Sequence, residues 1–145
     1  MENNSENLCR VIRDKLNCHD KFCRELGIAL TVNRPGYAEA EMPITERHCN
    51  SVGVVQGGAI FTLADFAFAG AGNSWNKITV SEVCELHFLR PGTGSRLRAV
   101  AREINRSQRN SLCSVEVFDD RGKLVACGTI KGCILPQQFI SGADE

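Results

Sequence analysis

Between Gly57 and Trp75 the chain is apolar on nearly every face that a helix would present. The run Gly57-Gly58-Ala59-Ile60-Phe61-Thr62-Leu63-Ala64-Asp65-Phe66-Ala67-Phe68-Ala69 carries only Thr62 and Asp65 as polar side chains. A helix shows such a surface only when it is covered on most sides. Upstream, Leu8, Val11, Ile12, Leu16 and Phe22 recur at roughly helical spacing with charges between them, which predicts an amphipathic helix over about the first 26 residues. Ile28–Val32 and Tyr37–Met42 are short β-type runs on either side of Asn33-Arg34-Pro35-Gly36, whose Pro-Gly pair marks a hairpin turn. Thr45–Gln56 is polar and aperiodic, a loop. Downstream, Ile78–Phe88, Arg96–Ile104, Leu112–Phe118 and Leu124–Ile134 read as strands, punctuated by turns at Arg90–Gly94, Asn105–Gln108 and Asp119–Gly122.

Helix, two strands, covered helix and four strands form one α+β layer pair, an antiparallel sheet with a long helix in its concave face. The length of 145 residues suits a single domain over 1–145, with 137–145 expected to be a loose tail. An open sheet has edges, and small proteins commonly protect these by pairing with a copy of themselves, so a homodimer or homotetramer is expected. Seventeen basic and seventeen acidic residues cancel, which points away from nucleic acid and anionic membrane as partners. The polar start Met1–Arg10 has no apolar stretch long enough for export, so the eight cysteines are expected to be small core hydrophobes in a reducing cytoplasm. No two of them are spaced as in a zinc knuckle, and His19, His48 and His87 are scattered, so no metal is expected. His48, in the loop, is expected to face solvent.

A carboxylate with as little polar company as Asp65 is costly to bury and seldom tolerated without a purpose. Gly57 and Gly58 stand where the first turn of the helix begins. Its unpaired N–H groups, at the positive end of the helix dipole, suit a developing oxyanion. Asp65 lies eight residues on, about 12 Å along an ideal helix axis and roughly 80° around it. One reacting carbonyl cannot touch both groups of a single chain, so the economical arrangement sets Gly57 of one subunit against Asp65 of another.

The stretch from His48 through Gln56-Gly57-Gly58 to Asp65 resembles the signature of hotdog-fold acyl-CoA thioesterases, specifically the phenylacetic acid degradation branch. Asn73-Ser74 and Phe88-Leu89-Arg90-Pro91-Gly92 resemble the same branch, and the likeness runs from about Thr45 to Ile134. The resemblance implies a sheet wrapped around one central helix and hydrolysis of an acyl-CoA or aryl-CoA thioester. Coenzyme A would be part of the substrate and no cofactor would be used. It implies that Asp65 acts as nucleophile or as general base on water, and that the Gly57 N–H polarises the carbonyl. Asn50 matches a position that helps hold the thioester, and Ser81 one that orients water beside the acid. Gln56 departs from the branch, which usually has histidine there. Glutamine retains hydrogen bonding but cannot titrate near neutral pH.

Substrate-binding candidates are Gly58 and, for phosphates, Arg106 and Arg109, with Arg90 as a further cation. Phe61, Phe66, Phe68 and Trp75 are candidates to shape an acyl pocket. The alternatives are a non-catalytic acyl-CoA sensor and a hotdog hydratase or dehydratase. The latter chemistries usually need a histidine paired with the acid, and the helix supplies none.

Overall fold

The computed structural model describes residues 3–142. The N-terminal segment forms two helices, α1 (Asn4–His19) and α2 (Lys21–Glu25), where one was expected. Asp20 breaks them apart: it takes an extended backbone, and its carboxylate accepts the Cys23 N–H at 2.9 Å, capping α2. Met1 and Glu2, also assigned to that helix, lie outside the described residues.

Strands β1 (Ala29–Arg34) and β2 (Tyr37–Pro43) form the expected hairpin, and helix α3 (Gly57–Asn73) follows. Then come β3 (Thr79–Phe88), β4 (Arg96–Arg106), β5 (Asn110–Asp119) and β6 (Leu124–Ile134). They make one antiparallel six-stranded sheet in the order β1-β2-β4-β5-β6-β3. On β5 the burial alternates cleanly, with Ser111, Cys113, Val115 and Val117 inward, as a sheet with one covered face requires. The covering element is α3, whose Ile60, Leu63, Phe66, Ala67, Phe68 and Ala71 are buried in the core with Leu30, Met42, Leu97, Val115 and Ile130.

Small residues let α3 sit low on the sheet. A Cβ on Gly70 would lie 2.7 Å from the Ala38 Cβ. The helix end is fastened by the residues that close it. Asn73 donates to the Ala69 carbonyl and accepts the Thr79 N–H at 2.9 Å, while the Ser74 hydroxyl accepts the Gly36 N–H at 2.8 Å. The helix therefore holds both the start of β3 and the β1–β2 turn.

The two sheet edges differ. On β1, the Asn17 carboxamide of α1 donates to the Leu30 carbonyl at 3.0 Å and accepts the Leu30 N–H at 2.8 Å, imitating a neighbouring strand. Among the described residues the same device on β3 is confined to the first residue, where Asn73 accepts the Thr79 N–H at 2.9 Å and donates to the Thr79 carbonyl at 3.4 Å; beyond it Val83 is 56% and Phe88 53% exposed, with Val80 and Leu89 beside them.

The segment expected to be a loose tail is tied down through residue 142. Ile140 is buried, its N–H donates to the Asn76 side chain at 2.7 Å, and its carbonyl accepts from Asn76 at 3.2 Å. Residues 143–145 lie outside the described residues.

At Gly128 β6 leaves β3 no room for a side chain, and a Cβ there would fall 1.9 Å from the Glu85 carbonyl oxygen. Backbone cannot step aside as a flexible side chain can. Gly128→Ala should therefore cost about 1–3 kcal/mol or more, read as a lower urea midpoint, with the loss of protection in hydrogen exchange concentrated on β3.

Candidate active site

One stripe of α3 escapes burial, and it runs Gly58, Phe61, Thr62, Asp65, Ala69. At Asp65 it meets β3, and at Gly58 and Thr62 it borders a hollow shared with Phe22 and Leu26. Asp65 is half-buried there and accepts a hydrogen bond from the Ser81 hydroxyl of β3. Desolvation holds its carboxyl above the ordinary carboxylate range; the Ser81 bond opposes this and the charge of Asp20 adds to it. Cys84 sits close enough that burial and then the Asp65 charge push its thiol up. Ser81 thus contacts the acid directly.

The donor end lies at the start of the same helix. Gly57 N–H meets no acceptor among the described residues, and the Phe88 ring stands 3.5 Å from where a Cβ would be. Gly58 corrects the expectation of a second free backbone donor, because its N–H is taken by Oε1 of Gln56, which caps the helix. That bond orients the carboxamide. With its oxygen committed to a backbone donor, Nε2 of Gln56 is the end left over, with no acceptor among the described residues. Asn50 repeats the device: Oδ1 accepts from Val52 N–H at 3.0 Å and Val54 N–H at 3.3 Å, a local turn that leaves Nδ2 over. In both cases a backbone N–H, which can only donate, settles which end of the amide is oxygen.

Two hollows flank the Gln56-Gly57-Gly58 turn. One, about 330 Å³, is lined by Gly57, Ile60, Phe88, Leu89, Arg90 and Pro91. The other, about 460 Å³, is lined by Phe22, Leu26, His48, Gln56, Gly58 and Thr62. Asp65 lines neither, which agrees with the helical separation of acid and donor.

His48 is not solvent-exposed as the loop suggested. It is 3% exposed, with Nδ1 accepting the Thr45 N–H at 3.0 Å and Nε2 lying 2.7 Å from the Leu26 carbonyl. Both ring nitrogens are spent on structure.

The arginines divide by location. Arg106 donates to Glu103 at 3.0 Å and to the Gly72 carbonyl at 3.3 Å, at the far end of α3 from Gly57. Arg109 shares a cleft of about 550 Å³ with it and Lys77. In this chain neither is brought to the donor turn. The cations on that side are Arg90, on the rim of the Gly57 hollow, Arg47, on the rim of the other hollow, and Arg121 and Lys123, which share a further cleft with Arg90. Arg121 and Lys123 escaped sequence reasoning, since Arg121 reads as a turn residue within the hairpin signal Asp119–Gly122 and Lys123 stands directly after it. Of the aromatic candidates, Phe66 and Phe68 are core, and Trp75 stands at the opposite helix end, donating to Glu103 at 3.0 Å. Only Phe61 lies on the open stripe.

A sheet wrapped round a central helix, with a free N–H at the helix start and an acid on its one uncovered stripe, is a hotdog domain. Residues 52–126 match the thioesterase superfamily, and the chain belongs to that family. Within it the chain is of the PaaI type. It is 33% identical over 109 residues to the acyl-coenzyme A thioesterase PaaI of Escherichia coli strain K12, covering 74% of this chain and 78% of that one. The structure of the E. coli PaaI protein from the phenylacetic acid degradation operon superposes with a TM-score of 0.89 over 93% of this chain and 99% of that one, at 26% identity. The TT0310 protein of Thermus thermophilus superposes with a TM-score of 0.76 at 36% identity, covering 81% of this chain and 99% of that one.

Because native burial disfavours the ionised Asp65, the unfolded chain ionises first as pH rises past 3.8, and the folded state loses stability from there up through its own raised value. Asp65→Asn cannot ionise. It should leave stability unchanged well below that pH and raise it near neutral pH, measured as urea midpoints of both proteins at the two conditions.

Proposed function

We propose that this chain hydrolyses acyl-CoA or aryl-CoA thioesters as a homodimer whose sites are each shared by two subunits. The observation that carries the reading is the division of the site along one helix. A free N–H stands at the start of α3, while a desolvated carboxylate held by Ser81 lies about two turns further on. The bare apolar edge of β3 supports pairing there. Two copies joined antiparallel near the middle of β3 would bring Phe88, and with it Gly57, opposite the partner's Ser81 and Asp65.

In that arrangement the thioester oxygen receives Gly57 N–H, with the carboxamide nitrogens of Gln56 and Asn50 as further donors. These are fixed dipoles aimed at charge that develops only as the carbonyl becomes tetrahedral. Asp65 supplies the attack, directly or by taking a proton from water; either way it must be ionised, and the coenzyme A thiolate leaves. Ser81 orients the carboxylate. The carboxylate, the amides and water supply all the chemistry, with coenzyme A as part of the substrate. Phosphates fall to the cationic rim of Arg90, Arg121 and Lys123, with Arg106 and Arg109 of the second subunit as the other candidates. The eight unpaired cysteines support a reducing, cytoplasmic setting, and no helix among the described residues is long and apolar enough to cross a membrane.

Purified protein should release thiol from a panel of aliphatic and aromatic CoA thioesters. Asp65→Asn should lose at least roughly a hundredfold in kcat while remaining folded. A protein that binds intact thioester in calorimetry and returns it unchanged would instead be a sensor. The shared site has its own test, in which the Asp65→Asn protein is refolded together with a Gly57→Pro variant that lacks the donor. Random pairing should restore about a quarter of wild-type turnover, since half the dimers are mixed and each of these holds one intact site. No recovery, with mixed dimers demonstrated, would place acid and donor in one chain.

The Ser81 bond holds the Asp65 pKa down against burial, so Ser81→Ala should raise it further. As the carboxylate is the active form, the acid limb of the pH profile should move to higher pH, leaving the plateau rate closer to wild type than Asp65→Asn does.

A further inference from the structure

We infer that His48 is a positioning residue for thioester hydrolysis, a buried neutral imidazole that links α2 to the donor turn of α3; the inference rests on the function proposed above. The Thr45 N–H can only donate, so its 3.0 Å contact requires Nδ1 of His48 to be the bare nitrogen. Nε2 then carries the hydrogen and donates it to the Leu26 carbonyl at 2.7 Å. Leu26 is the C-cap of α2, with its own N–H on the Cys23 carbonyl. On the other side, the His48 carbonyl accepts the Gln56 N–H at 2.8 Å, and the Gln56 side chain caps Gly58.

A continuous path therefore runs from the Leu26 carbonyl, through the ring and backbone of His48, to Gln56, the residue that occupies Gly58 N–H and leaves Gly57 N–H free. Leu26, His48, Gln56 and Gly58 also line one hollow beside that turn. The bond to Thr45 is local, three residues away, and would stabilise the short 3₁₀ turn Glu46–His48 whatever the site did. The bond to Leu26 spans 22 residues and fixes the turn to a second element. It is this long-range bond that positions the donors.

Asparagine and glutamine separate the two bonds. In His48→Asn the side-chain oxygen can replace Nδ1 at Thr45 but the group is too short for Leu26; in His48→Gln the amide nitrogen can replace Nε2 at Leu26. His48→Asn should lose about tenfold to a hundredfold in kcat, as expected of a misplaced donor, with KM changed by less than about twofold. His48→Gln should recover most of that loss. A His48→Asn enzyme with wild-type kcat would overturn the inference, and so would a loss that glutamine does not relieve. Nitrogen NMR of the unsubstituted protein supplies a readout independent of variant folding. It should find His48 as the Nε2–H tautomer at neutral pH, and the other tautomer or an imidazolium would overturn the assignment. If the wild-type protein released no thiol while the tautomer stood, the proposed activity would have failed and the hydrogen-bond path would not.

Discussion

The covering of α3 is the constraint on which the rest of this structure depends. A helix that is apolar on nearly every face is stable in water only when other elements take those faces out of it, and here a curled sheet of six strands does so. The cover stops at β3. What it leaves open is the one stripe that holds Asp65, so the place where an acid is half-desolvated follows from where the sheet runs out. Desolvation keeps that carboxyl poised above its ordinary range, and the Ser81 hydroxyl on the last strand keeps it from going further.

The sheet treats its two ends differently, and the contrast carries information about assembly. At β1 an asparagine on α1 satisfies both backbone groups of Leu30, and α1 packs along the strand. At β3 Asn73 does the same for Thr79 alone, and further along the strand the side chains of Val80, Val83 and Phe88 are about half exposed. Edges left in this state are ordinarily protected by charge, bulges or proline, or are paired. Glu82 and Glu85 put some charge on the strand and its pairing is irregular between Ser81 and Val83, yet Val80, Val83, Phe88 and Leu89 remain about half exposed along it.

Much of the fold was legible because it rests on local chemistry. The Pro35-Gly36 turn, the Asp119–Gly122 hairpin, the small-residue helix and the alternation on β5 are each determined by residues near in sequence. The acid and the Gly57 donor were legible for the same reason, as an isolated carboxylate and a bare helix start. What could not be read depends on partners far along the chain. Asp20 breaks the first helix because α2 packs elsewhere. Ile140 is held by Asn76, and the Leu26 carbonyl that buries His48 lies 22 residues before it. Arg106 looked like a free cation, yet the Gly72 carbonyl, 34 residues before it, and Glu103 on its own strand hold it. The exception is Gly58, whose donor is taken by Gln56 only two residues before it, a matter of side-chain rotamer that residue order does not fix.

Glutamine before the paired glycines changes the electrostatics of the donor end rather than its geometry. A histidine there would bring a titratable group within reach of the thioester, and its donor capacity would vary across the physiological range. A carboxamide with its oxygen fixed on Gly58 N–H offers an N–H whose strength does not depend on pH. Asn50 has the same property, with its oxygen fixed on the loop backbone. In the proposed site they would join Gly57 in an oxyanion environment built of neutral dipoles, with no imidazolium to help the Asp65 carboxylate ionise. On that reading labour is divided: the amides stabilise the developing charge and the acid sets the pH at which the reaction begins. On the same reading the proton that a histidine would otherwise shuttle passes between Asp65, water and the leaving thiolate, and a thiolate, far less basic than an alkoxide, is a leaving group for which that suffices.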